Sequence, residues 1–490
     1  MRNRLMNIQG DTLINRFCKY RACCVAITER HIYLKARLEH LISAGGGAMI
    51  HYTISLSRFA LVILMAFYTY LCFRALRSGI DEEEQDSLYF GQSACMYLIL
   101  FIANGILFLS QFSFSIIVML VMELVFFIAV DLIYKHIYTG ASVSVTNNMC
   151  MLLCVSFIIL TRLNYSKAYK QLIIAAFGLV LTCLVPFLIK KLSFLDRLTW
   201  LYAAVGLIGL AIVAVAGSTS YGAKLSLSIG GMSIQPSEFV KIIFVFFAAS
   251  MLYDAGSDMK KIKTASIVAG AHVLILIASR DLGGAGIFLV TYLVMLYTAT
   301  KRPILLVGGF AAGALGMVAA YYLFSHVRNR VVAWLDPLSV VDGAGYQVSH
   351  SLFAIGTGGW FGSGLYQGMP NKIPVVEKDF IFSAISEELG GIFALCLIFI
   401  CISCFLMFFN IALKIKEPFY KLIALGLGTV YTTQTFLTLG GVIKFIPSTG
   451  VTLPLVSYGG SSCVSTMIIF AIIQGLYILK DEEYTKDYEE

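Results

Sequence analysis

Long apolar stretches alternate with short polar segments along almost the whole chain. Thirteen of these stretches predict membrane spans, at about 54–73, 93–111, 114–134, 149–161, 171–189, 198–217, 237–254, 263–279, 283–299, 303–324, 380–409, 419–441 and 461–479. A helix needs about 20 apolar residues to cross a hydrocarbon core of about 30 Å. The apolar runs are continuous, which excludes the alternating strands of a membrane β-barrel. We therefore expect an all-α polytopic membrane protein.

Composition agrees with that interpretation. Of the 490 residues, 59% are hydrophobic and 13% are charged, whereas about 25% are charged in an ordinary soluble domain. A soluble globular enzyme is therefore excluded.

The net charge of +8 is concentrated at the start of the chain. Residues 1–48 contribute +5 of it and the remainder is nearly balanced, so we expect no nucleic-acid partner. The stretch 43–49 can be encoded with a ribosome-binding sequence just ahead of the Met49 codon. We interpret 1–48 as a basic segment outside the native product, which would then start at Met49; the alternative is a disordered basic tail.

Lysine and arginine predict the orientation, because short cytoplasmic loops are enriched in both. Basic residues fall in alternate loops, at 190–197, 260–263, 301–302 and 414–421. Placing these loops inside puts the polar stretch 325–379 outside as a large extracytoplasmic loop, and the acidic tail 480–490 in the cytoplasm. Three basic residues disagree, since the same scheme puts them outside: Arg162, Lys167 and Lys170.

The polar residues gather in four glycine-containing clusters that this orientation opens on the outer face. They lie at 222–241, 280–285, 328–390 and 447–462. Irregular backbone at membrane depth needs protein or trapped water around it, and exposed glycine N–H groups can hold an anion. Beside these clusters lie cations suited to phosphate: Lys224, Arg280, Arg328, Arg330, Lys372 and Lys444. The pattern predicts one outward-facing cavity for a phosphate-bearing ligand.

Asp379 is the most distinctive carboxylate, because it directly precedes the apolar Phe380-Ile381-Phe382. Partial desolvation at that position would raise its pKa and make it a better general base. The alternative is a helix N-cap, for which Asp is a preferred residue. For Glu387 and Glu388 a structural ion pair is favoured over direct chemistry. Glu238 could equally be a first-turn cap or the i,i+3 partner of Lys241.

Nine short motifs then resemble, in order, the SEDS family, the FtsW/RodA/SpoVE group. They are Gly222-Ala223-Lys224, Gln235-Pro236-Ser237-Glu238-Phe239, Asp281-Leu282-Gly283, Gly345-Tyr346-Gln347, Gly356-Thr357-Gly358-Gly359, Asp379-Phe380-Ile381-Phe382, Glu387-Glu388-Leu389-Gly390, Pro447 to Pro454, and Ser457-Tyr458-Gly459-Gly460-Ser461-Ser462. The resemblance covers about 149–479. It implies a ten-helix glycosyltransferase core, preceded by about three accessory membrane helices within 49–148.

The resemblance also implies an activity: an inverting peptidoglycan glycosyltransferase that polymerises lipid II on the outer face of the bacterial cytoplasmic membrane. Its expected partner is a class B penicillin-binding protein acting as transpeptidase, in elongation, division or sporulation. A lipid-linked precursor flippase and a non-catalytic scaffold are the alternatives. A transporter would need polar groups that continue toward the cytoplasm, whereas these motifs cluster on one side.

The family's catalytic aspartate falls on Asp379, as general base. Candidate substrate-binding residues are Lys224, Gln235, Ser237, Glu238, Asp281, Arg330, Tyr346, Gln347, Lys372, Glu377, Glu388, Ser457, Gly459, Gly460 and Ser461. A divalent cation, Mg or Mn, stays open, although the sequence offers no obvious metal cage. The chain departs from the family pattern at Arg280, at Thr438 and around Glu377, and it lacks a tryptophan after Lys224, which puts supporting roles in doubt.

Overall fold

The structure, a computed structural model, describes residues 47–77, 79–138, 140–192, 194–220, 223–229, 232–256 and 258–489. Residues 1–46 of the basic segment thus lie outside the described residues. The helices are α1 (Gly47–Ala75), α2 (Glu82–Gln111), α3 (Phe114–His136), α4 (Val143–Leu163), α5 (Tyr165–Thr182), α6 (Val185–Lys191), α7 (Thr199–Ala216), α8 (Ser237–Leu252), α9 (Met259–Ala278), α10 (Leu282–Thr300), α11 (Pro303–Leu323), α12 (Ser325–Leu335), α13 (Tyr346–Gly358), α14 (Ile381–Leu389), α15 (Gly391–Lys414), α16 (Pro418–Val442) and α17 (Gly460–Glu489). The strands are β1 (Ser218–Ser220), β2 (Ala223–Ile229) and β3 (Met232–Ile234), and short 3₁₀ turns cover Leu195–Arg197 and Pro370–Lys372.

Within the described residues, twelve helical segments are long and apolar enough to cross a membrane, with α5 and α6 together forming one of them. They match twelve of the thirteen predicted spans. The thirteenth, predicted at 237–254, is α8, which has 16 residues and a length of about 24 Å at about 1.5 Å per residue. The chain is therefore a multi-pass helical membrane protein, and the predicted fold class is confirmed.

The predicted continuous span 380–409 is wrong. The helix breaks at Gly390, whose φ of 92° lies in a region that glycine adopts without strain. A Cβ built on Gly390 would lie 2.3 Å from the backbone nitrogen of Gly362. The backbone around Gly362 thus occupies the space that a side chain at position 390 would need. The break leaves α14 as a separate half-helix of nine residues.

The outer segment predicted at 325–379 contains two helices, α12 and α13. Helix α13 packs along α14. A Cβ on Gly358 would lie 2.1 Å from the carbonyl oxygen of Ser386, so the end of α13 meets the half-helix backbone to backbone. The segment 325–379 therefore packs against the half-helix that follows Asp379.

A small antiparallel sheet, with strand order β1-β2-β3, connects α7 to α8. The sequence analysis missed it. Its signal is the alternation of Leu225, Leu227 and Ile229 with serines, the period-two pattern of a strand. Leu227 pairs with Ile234 and Ser228 with Ser233.

Helices α1 to α3 share one continuous hydrophobic core with most of the remaining helices. Helix α1 packs against α2 and α15, and α2 packs against α4. Buried polar contacts join the same helices: the Tyr68 hydroxyl donates to Asn148 Oδ1 at 2.9 Å, and Asn104 Nδ2 donates to Glu123 Oε2 at 3.0 Å. The leading helices are thus built into the body of the protein.

Candidate active site

Asp379 lies at the end of an irregular segment, two residues before α14 begins. The N-cap position belongs to Phe380, and no side chain caps the helix, so the N-cap interpretation of Asp379 is wrong. Among the residues that the structure describes, none donates a hydrogen bond to its carboxylate. Its oxygens are therefore available to a ligand.

Arg330, on α12, faces Asp379 across Gly450. A Cβ on Gly450 would lie 3.1 Å from Arg330 Nη2 and 3.7 Å from Asp379 Oδ2. Gly450 has a φ of 75°, so glycine provides both the backbone conformation and the space between the two groups. One basic and one acidic side chain from distant parts of the sequence thus share one small space.

The protein shifts the titration of both groups. Burial raises the pKa of Asp379 from 3.8 to about 6, while the positive charges of Arg330 and Lys378 oppose that shift. Burial also lowers the pKa of Arg330, against the attraction of Asp379 and Asp281. A carboxylate with a pKa near 6 is mostly ionised at neutral pH and still holds a proton better than a solvated aspartate, as a general base requires.

The segment before Asp379 is fixed to the Ser457–Ser462 motif. Glu377 forms an ion pair with Lys167, and its carbonyl accepts a hydrogen bond from the Tyr458 amide at 2.8 Å. The Ser457 hydroxyl donates to the Lys378 carbonyl at 2.5 Å. These contacts hold the backbone that precedes Asp379. Glu377 and Ser457 therefore position Asp379.

Further contacts hold the glycine motif itself. Gln171 Nε2 donates to the Ser457 carbonyl at 3.3 Å, and Gln171 Oε1 accepts from the Gly459 backbone amide at 3.3 Å. The sequence analysis missed Gln171, since a lone glutamine in an apolar run carries no pattern.

The other end of the motif contacts Gln235 and α5. The backbone amide of Gln235 donates to Ser461 Oγ at 3.0 Å, and Gln235 Nε2 donates to Ser237 Oγ at 3.2 Å. Gly460 packs so closely on Ile174 that a Cβ would lie 2.9 Å from its Cδ1.

Glu238 belongs to a buried polar network. Lys241 Nζ donates to Glu238 Oε2 at 2.5 Å and to Gln434 Oε1 at 2.6 Å. The Ser465 hydroxyl also donates to Glu238 Oε2, at 3.0 Å. The i,i+3 pairing of Glu238 with Lys241 is confirmed, and the network, which includes the unpredicted Gln434, joins α8 to α16 and α17.

Asp281 caps α10, because its Oδ1 accepts a hydrogen bond from the Gly284 amide at 2.8 Å. The first turn of α10 packs against the segment that carries Gly450, since a Cβ on Gly283 would lie 2.4 Å from Val451 Cγ2. Burial raises the pKa of Asp281. Asp281 therefore adds negative charge near Arg330 while it organises the end of α10.

Glu388 and Arg162 form a buried ion pair. Arg162 Nη2 lies 2.8 Å from Glu388 Oε1, and the two side chains are 8% and 1% exposed. Burial raises the pKa of Glu388, and Arg162 opposes that shift. The expected structural pairing of Glu388 is thus confirmed. Two of the three basic residues that disagreed with the orientation rule are thus paired with acids: Arg162 with Glu388 of α14, and Lys167 with Glu377 of the segment 325–379.

Tyr346 and Gln347, at the start of α13, contact the segment that precedes Asp379. The Tyr346 hydroxyl donates to the Lys372 carbonyl at 3.5 Å, and Gln347 Nε2 donates to the Pro374 carbonyl at 3.4 Å. The Lys372 side chain is exposed. Lys224 lies in β2, but its side chain is outside the described part of the structure.

A divalent cation finds no protein cage here. Across the described residues, no three His, Cys, Asp or Glu side chains converge as metal ligands. A magnesium ion would need Asp379 together with phosphate oxygens of a ligand, and Arg330 already places positive charge beside Asp379. No step is therefore assigned to a metal.

Comparison with known proteins gives consistent matches. A family model described as "Cell cycle protein", for FtsW, RodA and SpoVE, matches residues 139–481. The peptidoglycan glycosyltransferase RodA of Mycobacterium tuberculosis is 35% identical over 330 residues, covering 63% of this chain and 69% of that protein. Stage V sporulation protein E of Bacillus subtilis is 30% identical over 325 residues, covering 63% and 86%.

Two solved structures share the fold. One chain, from a study titled as the structural coordination of polymerization and crosslinking by a peptidoglycan synthase complex, superimposes with a TM-score of 0.59 at 25% identity, covering 70% of this chain and 98% of that one. Thermus thermophilus RodA superimposes with a TM-score of 0.53 at 23% identity, covering 69% and 97%. The residues that the family model matches, 139–481, contain every site residue named above.

Proposed function

Because the chain belongs to the FtsW/RodA/SpoVE family of cell cycle proteins, we propose that it is a peptidoglycan glycosyltransferase that polymerises lipid II with Asp379 as general base. One observation carries the assignment of the base. Asp379 combines a pKa raised to about 6 with a neighbouring guanidinium across Gly450. Among the described residues, no donor forms a hydrogen bond with this carboxylate, which is therefore able to accept a proton. The neighbouring cation suits a leaving group that carries phosphate.

The proposed step transfers one glycan unit. Asp379 takes the proton from the 4-hydroxyl of a terminal GlcNAc, and that oxygen attacks the anomeric carbon of the MurNAc on a second lipid II. The new carbon–oxygen bond forms as the bond to diphosphate breaks, so the configuration inverts. Undecaprenyl diphosphate leaves with the bonding electron pair, and Asp379 is left protonated.

Positive charge would stabilise the departing diphosphate. Arg330 lies beside Asp379 across Gly450. The exposed Lys372 is a second candidate and Lys224 a third. Preorganised cations of this kind often give the largest electrostatic contribution to catalysis. Arg330 would also keep Asp379 ionised at neutral pH, because it opposes the upward pKa shift.

The site would open on the outer face of the cytoplasmic membrane. Two inferences support this placement: basic loops alternate along the chain, and the charges of Arg162 and Lys167 are paired with the carboxylates of Glu388 and Glu377. A class B penicillin-binding protein is the proposed partner, since one matched chain comes from a synthase complex that couples polymerization to crosslinking.

The test is lipid II polymerisation by the purified chain with its cognate transpeptidase, read as glycan strands on a gel. A parallel assay follows fluorescent lipid II across the bilayer. Polymer without translocation supports the polymerase, whereas translocation without polymer would support a flippase and contradict the proposal.

A further inference from the structure

We propose that Arg58, on the leading helix α1, is a positioning residue for Asp379. It acts through residues 359–369, here called the support loop, which hold the C-terminal end of α14. This inference rests on the proposed function, because it connects α1 to the chemistry at Asp379. Arg58 lies outside residues 139–481, the part that the family model matches.

The support loop binds the last carbonyl groups of α14. The Ser363 amide donates to the Glu387 carbonyl and the Gly364 amide to the Glu388 carbonyl, both at 2.9 Å. These carbonyls lie in the last turn of the helix, where intrahelical partners are missing. The Met369 amide adds a bond to Glu387 Oε1 at 2.8 Å. The position of the half-helix therefore depends on the loop beneath it.

Three glycines of the support loop have positive φ values. Gly359, Gly362 and Gly364 have φ values of 54°, 76° and 106°. Glycines lose the most backbone entropy on ordering, so such a segment needs contacts from outside to keep one conformation. Movement at this end would reach Asp379, because α14 has only nine residues and spans about 13 Å at about 1.5 Å per residue.

Two arginines supply outside contacts. Arg162, from α4, donates to the Gly368 carbonyl at 3.1 Å. Arg58 Nη1 donates to the Gly362 carbonyl at 3.0 Å. A hydrogen bond from an ionised donor is stronger than a neutral one. The first arginine belongs to the family region, whereas the second comes from the leading helices.

Neighbouring residues of α1 seat Arg58 on the loop. The rings of Phe59 and Phe361 lie 5.3 Å apart, and a Cβ on Gly364 would lie 3.5 Å from Ile54 Cγ2. An arginine inside a membrane helix is costly and calls for a specific partner. Here that partner is the Gly362 carbonyl, which belongs to the same peptide group as the Ser363 amide that binds α14. Helix α1 would in this way support the position of Asp379 in addition to packing.

The experiment compares Arg58→Met, Arg58→Lys and Arg74→Met with wild type, in the full chain with its transpeptidase. Arg74 is the matched control. It lies at the C-terminal end of α1, away from the support loop, and pairs with Glu84 of α2. The readouts are kcat and KM for lipid II, and hydrogen exchange of the Ser363 and Gly364 amides. Arg58→Met is expected to lower kcat roughly 10- to 100-fold, with KM unchanged because Arg58 does not touch the substrate.

The same variant is expected to speed exchange at Ser363 and Gly364. Arg58→Lys, which keeps a charged donor, should recover part of both effects, and Arg74→Met should behave as wild type. Unchanged exchange, unchanged kcat or an equal loss in Arg74→Met would each overturn the proposal. If wild type makes no polymer, the proposed function fails, while the exchange comparison still tests whether Arg58 restrains the loop.

Discussion

Asp379 Oδ2 and Arg330 Nη2 face each other across Gly450, at 3.7 Å and 3.1 Å from the position that a Cβ of Gly450 would occupy. The two side chains are 49 positions apart in the sequence, and Gly450 lies between them in the fold. This arrangement makes the ionisation of Asp379 depend on Arg330, and several expected outcomes follow from it.

The rate of polymerisation should depend on the ionisation of Asp379. Since its pKa is raised to about 6 and the base must be deprotonated, kcat/KM should fall as the pH drops through about 6 and level off above about 7. A pH series with purified protein and lipid II measures this. A rate that stays constant from pH 5 to pH 8 would contradict the assignment.

Arg330→Gln should move that acid limb to higher pH. Arg330 lowers the pKa of Asp379, so its removal raises the pKa further and less of the base is ionised at a given pH. The pH profile of the variant measures the displacement. Arg328→Gln, on the same helix and exposed, is the control and should leave the profile in place; a matching displacement there would point to a general surface-charge effect.

Gly450→Ala should slow the reaction by roughly tenfold while the fold is retained. A left-handed backbone costs a non-glycine residue about 1–2 kcal/mol. The new Cβ would also lie 3.1 Å from Arg330 Nη2 and would displace that group. Gly356→Ala is the matched control. It lies in α13 with no atom within 4 Å of its Cβ position, so its rate should equal that of wild type.

Arg162→Met should destabilise the protein strongly. It leaves Glu388 as an unpaired buried carboxylate, a change that costs about 3–5 kcal/mol. Lys135→Met breaks an exposed pair with Asp131 and should cost at most about 1 kcal/mol. Thermal unfolding in detergent compares the two variants, and Glu388→Gln added to Arg162→Met should restore part of the loss. Equal melting temperatures for the two single variants would show that the buried pair contributes little.

Much of this architecture could be predicted from the sequence. Every predicted span falls on a helix, because hydropathy reports each helix locally. The ends were predicted less well, since α2 begins at Glu82 and not at 93, and the span 380–409 breaks at Gly390. Asp379 was identifiable because it combines a polar approach with an apolar continuation. The family motifs then identified the segments that gather around it.

The remaining features depend on contacts between distant segments. The break at Gly390 requires the support loop, and the Arg162–Glu388 pair joins positions 226 residues apart. Gln171 and Gln434 are single polar residues in apolar helices, where periodicity gives no indication of the partner. The contact of Arg58 with Gly362 spans 304 positions, so α1 could be predicted as a membrane helix but not as a support of the site.

The proposed general base of lipid II polymerisation is Asp379. The most direct measurement compares wild type with Asp379→Asn in a polymerisation assay with the cognate transpeptidase, at equal amounts of protein with matched melting temperatures and matched lipid II binding. Asp379→Asn is expected to bind lipid II and to lose polymerisation by at least about 100-fold. Polymerisation at the wild-type rate by Asp379→Asn would contradict this role of Asp379.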